Sequence, residues 1–76
     1  MVTIGDNLKR IRTEILKISQ VEMNNACCFS YDAIYIYENN IRNISIGRIQ
    51  RIREYYDIPL EEFFKDIVIK PNRKKG

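Results

Sequence analysis

The amino-acid sequence predicts an all-α fold in which five short helices form one compact domain. Apolar residues recur every three or four positions through most of the chain, which is the period of a helix with one buried face. Serines, which often cap the first turn of a helix, precede three of these segments. With 76 residues the chain is too short for a second domain. We predict helices at 5–16, 20–26, 30–38, 45–56 and 60–66, and no sheet larger than a terminal strand pair.

The first predicted helix follows from a stripe of aliphatic side chains. Ile4, Leu8, Ile11 and Ile15 are spaced by four, three and four residues, so they share one helical face. Of these four, Leu8 and Ile11 are expected in the buried core. The opposite face is assigned to charged residues, namely Lys9, Arg10, Arg12 and Glu14.

Two short helices separated by a tight turn are predicted next. Ser19 precedes the first, and Glu22, three residues later, completes a capping box; Ser30 precedes the second. The side chains expected to face the core are Met23, Cys27, Phe29, Ile34 and Tyr37. Helices joined by so few residues cross steeply, which is the geometry of a helix-turn-helix whose second helix can enter the major groove of DNA.

The C-terminal half is predicted to hold two further helices. Ser45 caps the first, Asp57 ends it, and Pro59 suits the start of the second. The side chains expected in the core are Ile49, Ile52, Ile58, Leu60 and Phe63. The β-branched run 67–69 is a strand, a helix extension or a partner contact, and the sequence leaves these three open.

The net charge of +3 arises at the C-terminus rather than in the domain. Residues 1–69 hold nine basic and ten acidic side chains, and the last seven positions add four basic ones. We predict a helix-turn-helix domain at 1–69 and a basic flexible tail at 70–76. The tail either adds nonspecific attraction to phosphate or only solubilises the chain.

The composition also argues against several classes of protein. Without histidine there is no Ser-His or Cys-His nucleophile, so we predict no enzymatic activity and no cofactor or metal. Cys27 and Cys28 are expected to be reduced and structural, with a redox-sensing thiol at Cys28 as the alternative. No apolar run approaches the ~18 residues of a membrane span, and Asp6 argues against a secretory signal. We therefore expect a cytoplasmic protein.

An ordered set of short motifs spans residues 4–64. It comprises Ile4-Gly5 with Leu8, Ile11 and Arg12; Ser19-Gln20 with Glu22 and Met23; Ser30 with Ile34; Glu38 two before Asn40; Arg42-Asn43; Ser45; and Ile58-Pro59-Leu60-Glu61-Glu62-Phe63-Phe64. The set resembles the lambda-repressor/Cro-type, or XRE-like, helix-turn-helix family. The resemblance needs no gap from Gln20 through Phe64, whereas the segment 15–18 is one residue longer than the family pattern. The resemblance implies a five-helix DNA-binding regulator that acts as a dimer on a palindromic site.

The resemblance also implies roles for individual residues. Gln20 holds the position that bonds a DNA phosphate and braces helix three. The positions that face base edges or nearby phosphates are held by Ser30, Tyr31, Asp32 and Ile36. Tyr35 also faces outward from helix three and is included with them. The loop that grips the DNA backbone corresponds to Asn40, Arg42 and Asn43. For Ile36, contact with thymine, contact with protein and partial burial stay open.

Departures from the family pattern concentrate around helix three. Asn24 replaces a small residue, usually alanine, while Cys28 and Asn40 replace glycines; Arg53 and Tyr55 also replace alanines. Helix three carries no Lys, Arg, Gln or Asn before Asn39, although these side chains usually discriminate between bases. What remains is Asp32 for a cytosine amine, tyrosine hydroxyls, and Ile36 for a thymine methyl.

These observations predict a sequence-specific transcriptional regulator. We expect a dimeric repressor that places helix 30–38 in the major groove of double-stranded DNA. The alternative is a protein-interaction module, an antitoxin or adaptor, docking through the surface of Tyr31, Tyr35, Ile36 and Ile41. The homodimer contact is predicted around Phe64, Ile67 and Ile69 with nearby residues of the fourth or fifth helix, because Phe64 and Ile67 would otherwise leave apolar surface exposed.

Overall fold

In a computed structural model of the chain, residues 2–67 are described, and within this range every regular element is helical. The α-helices are α1, Ile4–Arg10; α2, Gln20–Ala26; α3, Ala33–Glu38; α4, Ile46–Tyr56; and α5, Leu60–Phe63. A π-helical segment, Ile11–Leu16, continues α1. The all-α, five-helix prediction is confirmed. The predicted tail 70–76 and two residues of the run 67–69 lie outside the described residues.

The core lies between α1, α3 and the C-terminal helices. Its fully or nearly fully buried side chains are Leu8, Ile11, Met23, Cys27, Ile34, Ile44, Ile49, Ile52, Ile58 and Phe63. The predicted Phe29 and Tyr37 are half-buried and pack against this cluster. Leu60 was predicted to be buried but is 41% exposed. α5 is anchored at its C-terminal end, where the Asn7 side chain binds Phe63 O, so its first residue stays at the surface.

The π-helical segment, Ile11–Leu16, overlaps the segment 15–18 that the resemblance predicts to be one residue longer than the family pattern. In a π-helix each amide donates to the carbonyl five residues earlier, so one turn holds more residues than in an α-helix. The wider turn moves Ile15 away from the buried face, and it is 47% exposed although the sequence pattern placed it on the same apolar stripe as Leu8 and Ile11. Leu16, five residues after Ile11, packs against the core instead. Lys17 ends the segment with a left-handed φ of 57°.

Two of the three predicted serine caps are present. Ser19 Oγ accepts from Glu22 N at 3.0 Å, and Ser45 Oγ accepts from Arg48 N at 3.2 Å. The reciprocal bond that would complete the capping box between Ser19 and Glu22 does not form in this described pair. A complete capping box occurs instead between Thr3 and Asp6, at the start of α1. The sequence therefore located two helix starts correctly and missed a better cap.

Two helix boundaries differ from those predicted. α3 begins at Ala33 rather than at residue 30, and Ser30 Oγ lies 3.3 Å from Asp32 Oδ1 instead of capping the helix. α5 ends at Phe63 rather than at residue 66, because the Asn7 Nδ2 group donates to the carbonyls of Phe63 and Lys65, both at 2.9 Å. Within residues 2–67, no helix is long and apolar enough to cross a membrane.

Candidate nucleic-acid interface

The C-terminal end of α3 is fixed by a buried carboxylate. Glu38 is 6% exposed and accepts two bonds from Arg12, Nε to Oε2 at 2.6 Å and Nη2 to Oε1 at 3.0 Å. Gln20 Nε2 also donates to Glu38 Oε1 at 3.0 Å, so one carboxylate joins the π-helical segment, α2 and α3. Arg12 was assigned to the solvent-facing side, which is wrong. A buried carboxylate needs a charged partner, and Arg12 supplies it.

Close packing of α1 secures the same end of α3. A Cβ atom added at Gly5 would overlap the carbonyl oxygen of Tyr37, so α1 can approach α3 only with glycine here. Asn40, just after α3, has a left-handed φ of 60°, and its Oδ1 accepts from Thr3 Oγ1 at 2.7 Å. The Asn40 side chain, predicted to grip the DNA backbone, is thus bound within the domain.

The N-terminal end of α3 is held by a single amide side chain from α2. Asn24 is 1% exposed; its Nδ2 donates to Tyr31 O at 2.8 Å, and its Oδ1 accepts from Ile34 N at 3.1 Å. Asp32, the residue preceding α3, makes no capping bond with its side chain. Asn24 therefore caps α3 from another helix. Asn24 is one of the departures from the family pattern, but nothing in its spacing marks Tyr31 and Ile34 as its partners.

The outward surface of α3 and its preceding turn is dominated by tyrosine. Tyr31 is 88% exposed and Tyr35 is 51% exposed, while Asp32 and Ile36 are half-buried. Cys28, which precedes this region, has a left-handed φ of 59°, as expected for a residue at a turn usually occupied by glycine. The surface thus presents aromatic rings and one carboxylate, and α3 itself carries no cation.

Two arginines flank α3 from outside the helix. Arg42 and Arg48 line a surface cleft of about 260 Å³, the Arg48 cleft, together with Ser30, Ala33, Ile36 and Tyr37. Arg42 also lines an adjoining cleft of about 210 Å³, which contains Thr3, Asn40 and Asn43. The structure thus brings three predicted site residues, Ser30, Ile36 and Arg42, together in the Arg48 cleft. Asn40 and Asn43 line the adjoining cleft, and Arg42 is the residue that the two clefts share. Gln20 contributes to neither cleft.

Arg48 is the residue of this surface that the sequence analysis missed. Its Nη1 donates to the Tyr37 hydroxyl at 2.9 Å, and its guanidinium lies 4.8 Å from the centre of the Phe29 ring. These contacts hold an exposed cation beside α3. A signal was available, since residues 39–53 contain four arginines and no acid, whereas 54–66 contain five acids and one lysine. The overall charge conceals this separation.

The two cysteines differ in environment. Cys27 is buried, and burial raises the pKa of its thiol, which favours the protonated and less nucleophilic form. Cys28 is exposed in the turn between α2 and α3. Both are unpaired thiols, consistent with structural use of Cys27.

The residues predicted to form the dimer contact lie at the end of the described chain. Phe64 is half-buried and packs partly against the core, and Ile67 is also half-buried. Ile69 lies outside the described residues. Four large apolar side chains are exposed in the same half of the chain, namely Ile41, Ile46, Tyr55 and Leu60. Of these, Tyr55 on α4 and Leu60 on α5 lie nearest to Phe64 in the sequence.

Comparison with known proteins gives one match. The model of a protein family described as helix-turn-helix matches residues 8–63 of the chain, from the middle of α1 to the end of α5. Neither the curated proteins nor the solved structures yielded a match. The matched range contains α2 and α3 with the turn between them, together with both arginines of the Arg48 cleft.

Proposed function

Because the chain belongs to the lambda repressor/Cro-type helix-turn-helix family of DNA-binding regulators, we propose that it is a sequence-specific transcriptional repressor acting as a dimer. In this proposal α3 and the turn before it enter the major groove. The supporting observation is the Arg48 cleft, which places Arg42 and Arg48 beside α3. Cations at the edge of a recognition helix suit the phosphates that border the groove.

The proposal divides the surface into two parts. Arg42 and Arg48 contact phosphate and supply most of the affinity, which is independent of sequence. Tyr31, Asp32 and Ile36 contact base edges, with Asp32 accepting from a cytosine amine and Ile36 against a thymine methyl. Asp32 is repelled by phosphate, so its carboxylate lowers nonspecific affinity and favours sites that offer it a donor.

A salt titration tests the phosphate contacts. The logarithm of the affinity falls linearly with the logarithm of salt concentration, with a slope set by the number of neutralised phosphates. We expect Arg42→Ala and Arg48→Ala each to lower that slope by about one unit and to weaken binding to every duplex. Lys9→Ala removes the same charge from an exposed residue that lines neither cleft, and should leave the slope unchanged. Equal slopes for all three variants would exclude the proposed interface.

We further propose that the dimer contact lies in the C-terminal half, around Phe64, Ile67 and Ile69 with the exposed Tyr55 and Leu60. Two copies of α3 must lie about 34 Å apart to enter successive major grooves. A C-terminal contact leaves the surface of α3 available for DNA. Sedimentation of the wild-type chain and of Leu60→Glu tests this, since a buried carboxylate should shift the dimer toward monomer. A monomer under all conditions, with and without DNA, would refute it.

A second candidate function is a protein-interaction module, an antitoxin or adaptor. The observation that favours it is the exposed surface of Tyr31, Tyr35 and Ile41, which carries no cation of its own. Under this alternative, Tyr35→Ala abolishes a protein complex, whereas Arg42→Ala leaves DNA binding unchanged. The salt titration above therefore separates the two candidates.

A further inference from the structure

We propose that Asn24 is a positioning residue for sequence discrimination, because its amide keeps Tyr31 and Asp32 outside α3. The inference rests on the proposed function above, in which Tyr31 and Asp32 contact base edges. A buried residue of α2 would then influence which DNA sequences the exposed surface of α3 recognises. Asn24 itself, at 1% exposed, cannot touch DNA.

The first step of the argument concerns the carbonyl of Tyr31. In a helix that began at Ser30, this oxygen would accept from the amide four residues later. Instead it accepts from Asn24 Nδ2 at 2.8 Å, and the first helical bond runs from Ile36 N to Asp32 O at 3.0 Å. The Asn24 amide therefore takes the acceptor that an additional helical turn would need.

The second step concerns the amide of Ile34. It lies in the first turn of α3, where an amide has no partner within the helix. Asn24 Oδ1 accepts from it at 3.1 Å, which replaces a cap from the Asp32 side chain, while the amide of Ala33 donates to Ser30 O at 3.1 Å. Both halves of the Asn24 side chain thus favour the later helix start. This competition explains why the serine-cap pattern at Ser30 predicted the wrong boundary.

A third bond involves the main chain of the same residue. Asn24 O accepts from Phe29 N at 2.9 Å, so Asn24 bonds two residues of the connection between α2 and α3 and one residue in the first turn of α3. Tyr31, which lies in this connection, is 88% exposed. If the amide were removed, the helix would extend to Ser30 and turn Tyr31 and Asp32 to a different direction.

The test uses three variants of the full chain. Asn24→Ala removes both side-chain bonds. Asn24→Asp retains the shape, and its protonated carboxyl can both donate to Tyr31 O and accept from Ile34 N, whereas its carboxylate can only accept. Asn25→Ala makes the same change at the neighbouring exposed residue of α2 and is the matched control. The duplex is one that the wild-type chain selects from a randomised pool, compared with a shuffled duplex of the same composition.

We expect Asn24→Ala to reduce the ratio of specific to nonspecific affinity about tenfold, with nonspecific affinity within twofold of wild type. Backbone chemical shifts of Tyr31 and Asp32 should move to helical values. Asn24→Asp should discriminate as wild type does at about pH 5 and lose discrimination at about pH 8, because burial favours the neutral carboxyl at the lower value. The wild-type amide does not titrate, so its ratio at both pH values controls for other groups.

The contrary outcomes are distinct. If wild type discriminates between duplexes but Asn24→Ala lowers both affinities equally, or leaves Tyr31 non-helical, the positioning role is refuted and the proposed function stands. If Asn25→Ala matches Asn24→Ala, the effect does not come from these hydrogen bonds, which also refutes it. If wild type selects no sequence from the pool, the proposed function fails, and this inference fails with it.

Discussion

The two ends of α3 are anchored by different chemistry. At the C-terminal end a buried carboxylate meets an arginine and a glutamine, and a glycine of α1 packs against the backbone. At the N-terminal end a single neutral amide from α2 makes the contacts. The charged end joins three parts of the domain, whereas the neutral end controls a short turn at the surface. The comparison indicates that the fold depends on the first and the presentation of Tyr31 on the second.

The largest expected effect comes from the charged end. Glu38→Ala leaves Arg12 without its carboxylate, and breaking a buried ion pair in this way costs roughly 3–5 kcal/mol. For a small domain that is a large part of the stability. Urea denaturation of Glu38→Ala should therefore show a strongly lowered midpoint, while Glu14→Ala, which removes an exposed glutamate, should not. Similar midpoints for the two variants would contradict the importance of this pair.

An intermediate effect is expected at the turn before α3, and it concerns binding rather than stability. Tyr31→Ala should alter the preference between duplexes by roughly 1–3 kcal/mol. Because the side chain is 88% exposed, the melting temperature should hardly change. Tyr31→Phe removes only the hydroxyl, so it separates the contribution of the hydroxyl to this preference from that of the ring. If Tyr31→Ala changes specific and shuffled duplexes alike, the residue does not contact a base edge.

A smaller effect is expected for Gln20, which contacts the charged end from α2. Gln20→Ala removes one hydrogen bond to Glu38 and should cost about 0.5–1.5 kcal/mol of stability. The resemblance also assigns Gln20 a DNA phosphate, and in that case affinity falls for every duplex. Denaturation and gel-shift measurements on the same variant separate these roles. A loss of stability without a loss of affinity would leave Gln20 as a brace of α3 only.

The smallest effect is pH-dependent and arises beside Asn40. The Thr3 amide, which donates to Asp6 Oδ2 at 3.0 Å, lowers the pKa of Asp6 below its ordinary value of 3.8. The stabilisation is therefore present above that ordinary value and is lost as the pH falls through the lowered folded pKa. Urea midpoints of wild type and Asp6→Asn should differ near neutral pH and converge in acid. Glu54→Gln removes the charge of an exposed carboxylate on α4 and is the control, and a pH-independent difference for Asp6→Asn would contradict this account.

The sequence predicted the helices better than it predicted the contacts between them. The stripe through Leu8 and Ile11 and the caps at Ser19 and Ser45 depend on neighbours in the chain, so local pattern located them. The start of α3 could not be found in this way, because the bond from Asn24 competes with the local cap of Ser30. Arg12 and Glu38 are 26 positions apart, and nothing in the spacing marks them as a pair.

The sequence predicted which residues belong to the candidate site better than it predicted their contacts. Tyr31 and Tyr35 lie exposed as expected, and Arg42 lies beside α3. Asn40 Oδ1 accepts from Thr3 Oγ1, a contact that the sequence did not predict, while its role toward DNA stays a prediction. Arg48 was absent from the prediction because its place depends on α4 packing against Phe29 and Tyr37.

A π-helical turn lets a helix hold one more residue without changing what lies on either side of the turn. An extra residue within a continuous α-helix would rotate all later side chains by about 100°. Here the displacement is confined to the widened turn, where Leu16 packs against the core and Ile15 is exposed. Leu8 stays in the core before it, and Gln20 still reaches Glu38 after it. The segment thus separates the rotational phase of α1 from that of the helix-turn-helix, so the length of the first helix is not tied to the orientation of the recognition surface.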